Sequence, residues 1–110
     1  MAGCSVDEKR FDDVFHDEVA LSGSVLDTIL VKHPEVSSLI DRVGYVLREP
    51  DEVRRSVRDS RSLLYYRYMH DVLGGKWIVV VVKNVDRKYV STIYVTDQVK
   101  AGERIWTRPK

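Results

Sequence analysis

The sequence predicts an α+β fold: two to three N-terminal helices packed on a small antiparallel sheet of three to four strands. Two observations carry this. Between residues 22 and 57 apolar side chains recur every three or four positions, the spacing of one helix face. From Ser62 onward that rhythm gives way to three short runs rich in aromatic and β-branched residues, separated by turn formers.

The elements follow in order. Residues 1 to 10 have no periodicity and are expected to be a disordered arm, with residues 11 to 110 forming one domain. In the leader that follows, Val19 and Leu21 alternate with their neighbours and suit a short edge strand. Ser22 or Ser24 can cap a first helix carrying Leu26, Ile29, Leu30 and His33. Pro34 disfavours helical geometry at His33 and should end that helix. A second helix places Val36, Leu39, Ile40, Val43, Val46 and Leu47 in one stripe. Pro50 can open a third, with Asp51 and Glu52 in its first turn and Val53 and Val57 buried. The strands are then expected at 62–69, 76–83 and 88–96, joined through Gly74-Gly75 and "NVDR" as a meander whose middle strand is covered on both faces.

Composition excludes several classes. A chain that is 44% hydrophobic and 32% charged is not of the disordered type. No apolar run reaches the roughly 20 residues of a membrane span, and the acidic start does not read as a signal peptide, so a cytoplasmic setting without membrane partners is expected. The single cysteine, Cys4, has no partner for a disulfide or a structural zinc site. Charge is unevenly placed: residues 1–53 sum to −7 and residues 54–110 to +8. Such asymmetry either marks a surface for a polyanion or lets the two halves neutralise each other on folding.

Three groups of side chains have chemical potential. His33 falls on the buried side of its helix at the edge of the core, a place for a packed histidine or for an acid-base catalyst. Glu35, beside Pro34, either stabilises the next helix N-terminus or orients the His33 ring. Arg54, Arg58 and Arg61 line one face of the expected third helix, as a solvated face or as bidentate phosphate ligands. By alternation Tyr65 and Arg67 share one sheet face, Tyr66 and Tyr68 the other, while Thr92 and Tyr94 lie together on the last strand. A face bearing tyrosine, threonine and arginine suits base stacking and phosphate binding, although strand tyrosines also simply pack.

The succession "ILVKHPEV", "LREPDEVRRS", "LYYRYM", "KWIVVVVK", "STIYVTD" and "GERIW" resembles the phage-associated branch of the barnase, EndoU, colicin and RelE-like nuclease superfamily, over about residues 15 to 106. The resemblance implies helices packed on an antiparallel sheet and a metal-independent ribonuclease of toxin or conflict systems, with no cofactor. It maps the family's roles onto His33 in "KHPEV", Arg67 or Tyr65 in "YYRY", and Thr92 and Tyr94 in "STIY". A second histidine opposite His33 is missing from the pattern, since His16 lies in the leader and His70 at a strand end. In such an enzyme His33 would move a proton, Glu35 orient it, Arg58 or Arg67 stabilise the phosphorane, Thr92 or Tyr94 add a hydrogen bond, and Tyr65 or Trp106 stack on the base. The alternatives are a nucleic-acid-binding module of the same fold without catalysis, and a protein-interaction domain whose basic half meets an acidic partner such as an antitoxin.

Overall fold

The computed structural model describes residues 8–99 and 102–109. Strand β1 (Lys9–Asp12) and strand β2 (Glu18–Leu21) lead into helix α1 (Gly23–Lys32), a 3-10 segment (Pro34–Arg42) and helix α2 (Val43–Arg48). Strands β3 (Glu52–Arg55), β4 (Ser62–Met69), β5 (Lys76–Val85), β6 (Arg87–Thr96) and β7 (Glu103–Thr107) complete the chain. They form one mixed sheet in the order β1-β2-β6-β5-β4-β3-β7, antiparallel except where β2 runs parallel to β6.

This corrects the α+β expectation of three to four strands under two to three helices. Among the described residues the protein is mostly β, with seven strands and only two short α-helices. The extra strands come from three places. The leader folds because Asp13 Oδ1 accepts the backbone N–H groups of Phe15 and Asp17, each at 2.9 Å, closing the turn that lays β1 back on β2. The expected third helix is strand β3: Val53 is buried while Glu52, Arg54 and Arg55 are not, and the run pairs with β4 from Glu52↔Tyr66 to Arg55↔Leu63. Asp51 fastens its start, giving its N–H to the Tyr66 carbonyl and accepting the Tyr68 N–H at 2.8 Å. Val57, expected inside, is 75% exposed. The tail supplies β7, which pairs with β3 across a bulge after Val53.

The expected arm lies outside the described residues as far as residue 7, Cys4 included, whereas Lys9 and Arg10 pair within β1. Val19, Ala20 and Leu21 are all buried, so β2 is an inner strand rather than a half-exposed edge. Helix α1 begins at Ser22, whose hydroxyl accepts the Val25 N–H, and ends at His33, where Pro34 forces an extended φ of −134°. Among the described residues no helix is long and apolar enough to cross a membrane.

All the buried helix residues join a single core: Ile29, Val36, Leu39, Val43, Val46 and Leu47 meet Leu63, Tyr65, Ile78, Val80, Val82, Val90 and Ile93 of the sheet. Alternation therefore assigns the other set, Tyr66, Tyr68, Trp77, Val79, Val81, Thr92 and Tyr94, to a second face outside that core, on which Tyr66 and Val79 are themselves fully buried and Tyr68 is exposed.

Candidate active site at the rim of the open sheet face

Cross-strand register builds this second face in rows. Tyr66 stands opposite Val79, and Val79 opposite Tyr94; one row on, Tyr68, Trp77 and Thr96 align; in the other direction Leu64, Val81 and Thr92 align. The result is an aromatic patch. The Tyr68 and Trp77 rings meet edge to face at 5.4 Å, Trp77 also meets Tyr66 at 6.3 Å, and Tyr68 is 44% exposed.

His33 joins this patch from the side. Helix α1 packs along β6, and its C-terminal residue brings the imidazole to a centroid distance of 6.4 Å from the Tyr94 ring. Glu35 Oε2 lies 3.5 Å from His33 Nδ1, and both side chains are partly open to solvent. The imidazole thus neighbours both a carboxylate and a tyrosine ring. Burial, with the neighbouring Tyr66 phenol and the hydrogen bond to it, pushes the Tyr94 hydroxyl up to about 12. Tyr94 therefore keeps its proton at neutral pH.

Glu35 also lines two adjoining hollows at the ends of the strands. One, of about 440 Å³, is shared with Leu73, Lys76, Thr96 and Asp97; the other, of about 310 Å³, with Ser38, Arg42 and Asp71. Lys76 pairs with Asp97, and Arg42 forms a bidentate bridge to Asp71 at 2.7 and 2.9 Å. Among the described residues no group of three His, Cys, Asp or Glu side chains is placed to hold a metal ion.

No family model, curated protein or solved structure matches this chain.

Of the residues singled out in the sequence, His33, Glu35, Tyr94 and Thr92 are brought to one region, the rim and floor of the open face. Others go elsewhere. Arg67 lies on the opposite face, where its guanidinium donates to the Tyr45 hydroxyl and the Glu49 carbonyl, pairs with Asp51 at 3.4 Å and packs over the Tyr45 ring. Tyr65 is fully buried, its hydroxyl donating to Asp13 Oδ2 at 2.6 Å, and cannot stack on a base. Trp106 is partly buried against the core opposite Val53. Arg54, Arg58 and Arg61 share no helix face: Arg54 is in β3, bonded to Glu52 and to the Gly102 carbonyl, while Arg58 and Arg61 lie in the connection to β4. The sequence reading missed the aromatic set of this face, buried Tyr66, half-buried Trp77 and exposed Tyr68. Their signal was available: Tyr66 and Tyr68 alternate with Tyr65 and Arg67, and Trp77 falls opposite Tyr68 once the Gly74-Gly75 turn is closed.

Proposed function

We propose that this protein is a metal-independent ribonuclease acting on single-stranded RNA at the rim of its open sheet face. One observation carries the reading: the His33 imidazole neighbours both the Glu35 carboxylate and the Tyr94 ring, on a sheet face whose exposed Tyr68 ring suits an unstacked base. His33 takes the proton of the 2′-hydroxyl as that oxygen attacks the adjacent phosphorus, and Glu35 orients the ring and steadies the imidazolium. That attack forms the phosphorane, which then collapses as the P–O bond to the next nucleoside breaks, the leaving oxygen taking back a proton from the His33 imidazolium or from water. Tyr94, kept neutral, is the hydrogen-bond donor for the developing negative charge, with Thr92 a second donor two residues away on the same strand face. Lys76, which shares a hollow with Glu35 and is paired with Asp97, takes the role expected of Arg67 by exchanging that partner for the phosphate. The products are a cyclic phosphate end and a free hydroxyl end. The nuclease-superfamily resemblance points the same way and suggests a toxin or conflict role in the cytoplasm.

The experiment is RNA cleavage by the purified protein in excess EDTA, with the ends identified. We expect cyclic phosphate termini, and a rate lower by about 10² to 10⁴ in His33→Ala with unchanged thermal unfolding. Intact RNA across the neutral range overturns the reading. A second reading, RNA binding without cleavage, is favoured by the engagement of Arg67 on the other face, which removes the expected phosphorane stabiliser. It is distinguished by retention of RNA that stays uncut.

A further inference from the structure

Two arginines of "RRSVRDSR" converge, but not as a helix face. Arg55 at the end of β3 and Arg61 just before β4 stand on the rim of a hollow of about 300 Å³ whose wall includes Phe15, Leu63, Asn84, Lys88 and Ile105. Leu63 belongs to the helix-side core, so this hollow opens on the face away from the aromatic patch, at the Ser62 end of β4 rather than the Met69 end.

Its chemistry is two-sided. Phe15, Leu63 and Ile105 give an apolar wall; Arg55, Arg61 and Asn84 give donors. Among the described residues no acidic oxygen pairs with the Arg61 guanidinium, whose backbone alone is engaged, through its N–H to Asp59 Oδ1 and its carbonyl to the Asn84 N–H. Arg55 meets Glu103 through one nitrogen at 3.0 Å, which leaves the remaining N–H groups of its fork. Lys88 is already committed to Asp13 at 2.6 Å and Asp17 at 2.9 Å. It therefore closes the back of the hollow without adding a free donor.

We propose that this hollow is a nucleotide-phosphate site, in which Arg61 and Arg55 grip the phosphate, Asn84 adds a hydrogen bond, and the base rests against Phe15 and Ile105. The phosphate can belong to a free mononucleotide or to the end of an RNA strand, and the site is independent of the one at His33.

The test is calorimetric titration of the full chain with adenosine monophosphate, adenosine, and short oligonucleotides with and without a terminal phosphate. Adenosine monophosphate binds and adenosine does not. Arg61→Glu and Arg55→Gln each weaken that binding roughly tenfold to hundredfold, the scale of a charge-assisted hydrogen bond. Arg58→Glu, in the same loop but not lining the hollow, leaves it nearly unchanged. Equal affinity for the mononucleotide and the phosphorylated oligonucleotide assigns the site to free nucleotides, and tighter oligonucleotide binding assigns it to RNA ends. Absence of mononucleotide binding at millimolar concentration overturns the proposal, as does an equal loss in Arg58→Glu and Arg61→Glu, which would mark a diffuse charge effect. His33→Ala should leave this binding intact, so the two proposals fail separately.

Discussion

Asp13 is the residue whose loss should harm the fold most for its size. Its carboxylate is fully buried and accepts four hydrogen bonds: Tyr65 Oη and Lys88 Nζ at 2.6 Å on one oxygen, the Phe15 and Asp17 amides at 2.9 Å on the other. In Asp13→Ala the Lys88 ammonium keeps only Asp17 as an acidic partner, the Tyr65 hydroxyl loses its acceptor, and the turn between β1 and β2 loses both its side-chain bonds. Breaking a buried pair from one side costs about 3–5 kcal/mol, and we expect a loss of about 4 kcal/mol here. Lys88→Met is the contrast. There Asp13 retains three donors, so the cost should fall to about 1–2 kcal/mol, one charge-assisted bond with the cation's desolvation returned. pH gives a second readout. Burial pushes the Asp13 carboxyl up, but Lys88, Tyr65 and the Asp17 amide together outweigh it and hold the group below its ordinary range. A carboxylate lowered in the folded state contributes stability that is present above its unfolded value near 3.9 and lost as pH falls through the folded value. Urea denaturation at pH 7 and then stepwise into acid should show the large asymmetry between the two variants, and a shallower acid limb in Asp13→Ala than in the wild type. A cost below about 1 kcal/mol for Asp13→Ala, or equal costs for the two, would refute this reasoning.

Two further outcomes are expected. Tyr68→Ala removes the exposed ring of the Tyr68–Trp77 pair and should weaken single-stranded RNA binding by about 1–3 kcal/mol, read by fluorescence anisotropy, while leaving stability nearly unchanged. Gly75→Ala meets two obstacles, a φ of +113° and the Tyr68 hydroxyl in the path of the new methyl, and should lower stability by about 1–3 kcal/mol in thermal unfolding.

Legibility in the sequence followed the range of the forces involved. The runs at 62–69, 76–83 and 88–96 announced themselves because β-branched and aromatic side chains declare a strand locally, and Pro34 declared the end of α1 for an equally local reason. Strand β3 was hidden because "EPDEV" carries every local sign of a helix start, while its strand character is fixed by pairing with β4 and β7 on either side. The leader was hidden because Asp13 draws its burial from Lys88, 75 residues away. Alternation separated Tyr65 and Arg67 from Tyr66 and Tyr68, yet could not say which pair faces the helices, since both sides of β4 carry aromatic rings. That decision belongs to the packing of Val36, Leu39 and Val43 over Ile78 and Val80, and it carried Arg67 away from His33.

The opposite charges of the two halves bear on both proposed sites. Much of the imbalance is neutralised across the fold: Lys88 with Asp13 and Asp17, Arg87 with Glu8, Arg67 and Arg108 with Asp51, and Arg104 with Glu52 all join the basic half to the acidic one. A polyanion therefore meets no broad positive field. It meets local features instead: an imidazole beside a carboxylate and a tyrosine ring on one face, and on the other an arginine in a hollow without an acidic partner among the described residues. Recognition by such features depends on hydrogen-bond geometry more than on long-range attraction, so association should gain little from low salt beyond the few phosphates directly touched. A steep dependence of RNA binding on salt, of the kind many simultaneous phosphate contacts produce, would instead require the unpaired cations of the connection between β3 and β4 to act together with the open face.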